Sequence, residues 1–158
     1  MLFRSLMPEP SLPIRRTLWR EWAIYAGIAL VSVLPALLQP GAGIGDGADA
    51  FGTWWFYAWI RRCVEQGWNP SWTPDFFFPL GKDIFSHTGN NFVDAVGSLP
   101  FQWLLGDRYQ PVFVFALLLA NAATFRPLAR QVLGEEGVFP ATLLWLCNPY
   151  ALFELTAG

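Results

Sequence analysis

The sequence predicts an all-α membrane protein with about three transmembrane helices. A long extracytoplasmic loop carrying juxtamembrane amphipathic helices is expected after the first of them. Composition is the first reason: of 158 residues, 54% are apolar, 17% aromatic and only 14% charged, whereas soluble domains carry roughly a quarter charged residues. A water-exposed globule of this size could not cover so much apolar surface. The second reason is that uncharged stretches approaching the length of a bilayer core recur along the chain. The third is a segregation of charge, with arginines at some span ends and acids in the longest connection.

The same counts exclude several function classes. Net charge is −2 with no run of Lys or Arg, so the basic footprint of a nucleic-acid partner is missing. Cys63 and Cys147 lie far apart in sequence and form neither a disulfide framework nor a CxxC pattern. His87 is the one histidine, which leaves a zinc site short of its commonest nitrogen ligand.

Residues 1–21 read as a cytoplasmic N-terminus bearing Arg4, Arg15, Arg16 and Arg20. Transmembrane helix 1 is expected at 22–38, where Trp22 to Leu38 runs without a charge for roughly 25 Å of helix. Pro35 falls late enough to kink it only. The stretch is long for a signal-peptide core, and LLQPGAGIGD is a poor cleavage site, so a retained anchor is expected. Residues 39–108 form the long loop, rich in acids (Asp46, Asp49, Glu65, Asp75, Asp83, Asp94 and Asp107). Interfacial helices are expected there at about 49–66 and 95–106. Transmembrane helix 2 follows at 109–125, between Arg108 and Arg126. A cytoplasmic turn at 126–137 holds Arg130, Glu135 and Glu136, and transmembrane helix 3 occupies 138–158. The positive-inside rule puts the N-terminus and the Arg126 turn in the cytoplasm and the long loop outside.

The loop carries the most specific pattern. Gly41, Gly43, Gly45 and Gly47 make a flexible exit from the first span. Phe51, Trp54, Trp55, Ala58 and Trp59 then fall at i, i+3, i+4, i+7 and i+8, one face of a helix suited to the headgroup level. Arg61, Arg62, Glu65 and Gln66 form its wet end, closed by Gly67. Asp46 and Asp49 open this helix, as N-cap and third-position acid favoured by the dipole. The alternative is that one carboxylate faces a cavity at the membrane surface and accepts a proton from a hydroxyl or holds a cation beside a phosphate. A helix N-terminus keeps Asp ionised, which suits a base.

Pro70, Pro74 and Pro79 with Gly81 and Gly89 predict an irregular aromatic segment next, with Trp68, Trp72, Phe76, Phe77 and Phe78 packed on helices or dipping into lipid. Lys82, Asp83, His87, Asn90 and Asn91 are the polar set that could converge on a ligand, although a lone loop histidine such as His87 is more often solvated or hydrogen-bonding than catalytic, and Lys82 fits an interfacial charge better than a phosphate ligand. Glu154, beside the third span, is either a functional intramembrane-level acid or an interfacial one.

In the order of these parts the chain resembles the N-terminal part of GT-C-type membrane glycosyltransferases, the superfamily of the protein O-mannosyltransferases, the aminoarabinose transferases and many bacterial relatives. Cytoplasmic arginines, a first span, GDGADAF opening an aromatic helix, FFFPLG and a short amphipathic stretch carry the resemblance. It implies a partial GT-C-like fold in the bacterial inner (plasma) membrane. It also implies a polyprenyl-phosphate sugar donor and an acceptor at the extracytoplasmic face. The family's acidic residue after the first span, its catalytic base, corresponds to Asp46, with Asp49 as second candidate. The named transferases set Asp beside Glu, whereas Gly47 follows Asp46 here. Arg61, Arg62 or Lys82 would steady the departing phosphate, and His87, Asn90 and Asn91 complete the substrate-binding candidates.

No cofactor is implied, and a divalent cation is compatible with the acids without being required. Partners are the lipid bilayer, the sugar donor, and further transmembrane helices from the rest of a longer chain or a partner subunit; nucleic acid is not among them. Because NPYALFELTAG closes the third span without a polar tail, the chain is expected to be the front of a longer enzyme, inactive alone. The competing expectation is a small non-catalytic membrane scaffold or assembly subunit in which Asp46 and Asp49 are only caps.

Overall fold

A computed structural model describes residues 13–39, 44–45, 48–85 and 91–149, with only the backbone described at 13–17 and 48–49. The described chain is mostly helical, in the order α1 (Pro13–Leu38), α2 (Ala48–Gln66), β1 (Trp72–Thr73), β2 (Lys82–Asp83), α3 (Phe92–Leu105), a short 3-10 turn (Gly106–Arg108) and α4 (Tyr109–Leu146). By length and composition, two helical stretches can cross a membrane, Leu18–Leu38 and Phe92–Leu146. The chain divides into two compact units: residues 13–32 with 115–148, and residues 33–114.

In the first unit, α4 is a hairpin. Gly134 sits at φ 72°, ψ 178°, a conformation open essentially to glycine alone. Phe125 and Trp145 stack across it with ring centroids 4.7 Å apart. A straight helix would separate those two residues by roughly 30 Å, so 115–133 and 135–146 run antiparallel. The turn expected over 126–137 is thus narrower: the helix continues to Leu133, and Arg130 reaches across the break to Glu135 at 2.8 Å.

Tyr25 of α1 is fully buried with Ala122 and Leu146 of the hairpin, beside Trp22, Leu118, Phe139 and Leu143. Its hydroxyl accepts a hydrogen bond from Arg126 Nη1 at 3.0 Å and donates to the Phe139 carbonyl at 3.4 Å. Arg126 Nη1 also donates to Glu21 Oε2 at 2.6 Å. The early part of α1 and the Gly134 end of the hairpin are therefore joined at the same end of this unit.

The second unit is built on α2. Phe56, Tyr57, Ile60 and Cys63 form its packed stripe, together with Trp59, Ile84, Ala95 and Phe113. Helix α3 lies against it in the same direction: Asn91 meets Thr53 near the start of both, and Trp103 meets Glu65 near the end of both. The chain then reverses at Gly106, where φ is 55°, and Phe113 of α4 returns to Gly97 and Phe101. Between α2 and α3, β1 and β2 pair antiparallel, Trp72 opposite Asp83 and Thr73 opposite Lys82. Buried Ile84 and Thr73 fix this hairpin to the helices, as do the Trp59 indole N–H donating to the Pro70 carbonyl at 3.1 Å and the Ile84 amide donating to the Ser71 carbonyl at 2.7 Å.

Candidate functional site

An open cleft of about 540 Å³ runs along α2 in the second unit. Trp54, Ala58, Arg61, Arg62 and Glu65 line one wall, at i, i+4, i+7, i+8 and i+11, which is one face of a helix. Gln102 of α3, Gly106 and Asp107 of the reversal, and Tyr109 and Gln110 of α4 supply the other. The Gly106 turn is what brings α4 back so that both sets face one space. The Trp54 indole nitrogen is buried and has no hydrogen-bond partner among the described residues. Such a donor normally finds an acceptor when buried.

Charge in the cleft is mixed and organised. Arg61 Nε donates to Glu65 Oε1 at 2.7 Å, and the Trp103 indole N–H reaches the same oxygen at 3.1 Å. The Arg61 guanidinium first, then that indole, hold the Glu65 carboxyl below the usual glutamate range. Arg62 lies 3.7 Å from Asp75 of the β-hairpin loop. Below them, burial pushes the Cys63 thiol up, with Arg62 opposing. Burial, with the charge of Asp94 adding to it, also raises the Tyr57 phenol, so both groups are neutral at physiological pH. Gln102 donates to Ser98 Oγ at 2.8 Å and more weakly to the Tyr57 carbonyl at 3.5 Å. Two arginines, two carboxylates, amides, a phenol and an indole around one concavity can recognise a polar ligand carrying both hydroxyls and an anionic group.

The cleft also touches the segment that leads to the candidate acids. The Ile44 amide donates to Gln110 Oε1 at 3.0 Å, which fixes the backbone two residues ahead of Asp46 to a residue of the cleft wall. Asp46 itself lies outside the described residues. Asp49 lies in the first turn of α2, where the dipole favours a negative charge.

The other sequence candidates are scattered. Arg61 and Arg62 line the cleft. Asn91 precedes α3 and donates from Nδ2 to Thr53 Oγ1 at 3.4 Å, bridging the two helix starts. Lys82 stands on β2 with its ammonium 5.6 Å from the Phe77 ring centroid and is not among the cleft residues. His87, Asn90 and Glu154 lie outside the described residues. Among the described residues no group of three or more His, Cys, Asp or Glu could hold a metal ion.

Sequence reasoning did not place Trp54, Gln102, Asp107, Tyr109 or Gln110 in a site. Gln102 left a signal, a lone amide in the apolar run SLPFQWLLG. Asp107, Tyr109 and Gln110 follow a turn whose reversal no periodicity announces. No protein-family model, curated protein or solved structure matches the chain.

Proposed function

We propose that this chain carries the catalytic loop of a GT-C-type membrane glycosyltransferase in the bacterial inner membrane. It would move a sugar from a polyprenyl-phosphate donor to an acceptor hydroxyl at the extracytoplasmic face. The observation that carries the reading is the bond from Ile44 to Gln110, because it ties the approach to Asp46 to a cleft containing two arginines. On this reading 22–38, 109–125 and 138–158 cross the membrane, the N-terminus is cytoplasmic, and further helices complete the donor site.

Asp46, or Asp49 in the first turn of α2, accepts the proton of the acceptor hydroxyl. The acceptor oxygen attacks the anomeric carbon, the bond from that carbon to the phosphate oxygen breaks, and the configuration inverts. The polyprenyl phosphate leaves with the electron pair, and Arg61 and Arg62 take up its charge. Trp54 and the amides of Gln102 and Gln110 face the sugar.

The test is transfer from a polyprenyl-phosphate sugar in the native membrane, where accompanying helices are present. Asp46→Asn or Asp49→Asn should lower the rate by roughly 10²-fold or more. Full activity in both variants removes the proposed base. A non-catalytic scaffold is favoured by one observation, the pairing of Arg61 with Glu65 and of Arg62 with Asp75. It requires that no sugar-phosphate competes for those arginines.

A further inference from the structure

The loop of the β-hairpin, residues 74–81, is built outside-in for a domain in water. Phe78 is 84% exposed and Leu80 82% exposed at its tip, with Phe77 at 70%. This is not loose chain. The Leu80 and Gly81 amides both donate to the Phe77 carbonyl, at 2.9 and 3.3 Å. Phe76 packs edge-on against Trp55 of α2, centroids 4.7 Å apart. The Trp72 indole lies so close over Gly81 that a Cβ there would meet it at 2.1 Å. Phe77 itself holds φ at 54°, a left-handed conformation that is costly for a bulky residue and is normally given to Gly or Asn. The fold thus holds three large apolar side chains outward on a fixed, convex tip.

Helix α3 of the same unit shows the same inversion. Its packed side holds Ser98 and Gln102 with Ala95 and Leu99, while Val93, Trp103 and Leu104 face outward. A water-facing helix has the opposite arrangement. From these two observations we infer that the hairpin tip inserts into the bilayer, with Phe78 and Leu80 in the acyl region and Phe77 at its edge. A convex apolar point fits fluid lipid, whereas a protein partner would have to offer a matching pit. Lys82 at the base, over the Phe77 ring, places its ammonium where lipid phosphates lie. The inference rests on the reading that Leu18–Leu38 crosses the membrane.

A nitroxide at Phe78→Cys, in the whole chain with Cys147→Ser, reconstituted in phosphatidylglycerol/phosphatidylethanolamine nanodiscs, tests it. Labels at Val31→Cys and Glu136→Cys serve as lipid and water references. Expected at residue 78 is collision with oxygen and protection from the aqueous nickel relaxant, with a ratio between those at 31 and 136. Nickel access equal to that at 136 places the tip in water and overturns the inference. Exclusion of both relaxants marks a protein partner and overturns it too. If residue 31 is itself open to nickel, the membrane reading fails and takes the inference with it; lipid at 31 with water at 78 overturns the insertion alone.

Discussion

Glu21, Tyr25 and Arg126 meet in the first unit with side chains 23% exposed for Glu21 and 11% for Arg126, and Tyr25 wholly buried. A cation so enclosed needs its partners, because the low-dielectric surroundings penalise an uncompensated charge far more than they reward a paired one. Arg126→Ala or Glu21→Gln should each destabilise the unit, by about 3–5 kcal/mol for removal of the arginine, read as midpoint shifts in detergent-denaturant unfolding. The double change of Glu21→Met with Arg126→Met should recover most of that loss. If the double variant is no better than Arg126→Ala, the cost lies in packing and not in the orphaned charge.

Glu65 gives a residue-scale prediction about pH. Its carboxyl is held below the usual glutamate range by Arg61 and Trp103, so the folded state binds its proton less readily than the unfolded chain does. The stabilisation from this contact is therefore fully present above the ordinary glutamate pKa and disappears as pH falls through the depressed value. Glu65 is exposed, so the effect on stability is small. The contact is better read by NMR: the Trp103 indole proton should keep its shift until the pH drops below the normal glutamate range. A transition at or above that range would contradict the Arg61 pairing. Cys63 is 2% exposed and its thiol is raised. Neutral-pH maleimide should leave it unmodified in the folded chain and modify it on unfolding.

At the scale of elements, two glycines decide the path of the second apolar stretch. Residues 92–146 have the length and composition of one very long helix, yet Gly106 and Gly134 turn it back twice. Gly134→Ala should cost about 1–3 kcal/mol, because a Cβ is strained in that backbone region. Engineered cysteines at Phe125 and Trp145 should cross-link in the parent and lose efficiency in the Gly134→Ala background. Undiminished cross-linking would show that the turn tolerates a side chain.

How much of this the sequence displayed depends on the element. An uncharged run such as 22–38 is legible because length and hydropathy alone define it. For α2 the aromatic stripe of Phe51, Trp54, Trp55 and Ala58 was legible, but the packed stripe is Phe56, Ile60 and Cys63. The helix is apolar nearly all round, so periodicity could not choose the buried face. The cleft was half legible. Arg61 and Arg62 stand out as the basic end of α2, whereas Asp107, Tyr109 and Gln110 join them only because the chain reverses at Gly106. Lys82, grouped with the ligand candidates by composition, is held on the β-hairpin by pairing of its strand with Thr73.

For the whole molecule, the central claim is that the cleft along α2 receives the sugar-phosphate end of a lipid-linked donor. Mixed charge there is consistent with exchange of partners, Arg61 and Arg62 leaving Glu65 and Asp75 for a phosphate. Such exchange makes binding salt-sensitive and specific for an anion of sugar-phosphate shape. The most direct measurement is photo-cross-linking of a short-chain polyprenyl-phosphate sugar, bearing a photoreactive group on the sugar, to the chain in nanodiscs. Adducts should map to residues 54–65 and 102–110, and the Arg61→Ala, Arg62→Ala double variant should reduce them at least about fivefold, a loss of roughly 1 kcal/mol in binding. Adducts confined to other segments, or a yield unchanged by the loss of both arginines, would contradict the claim.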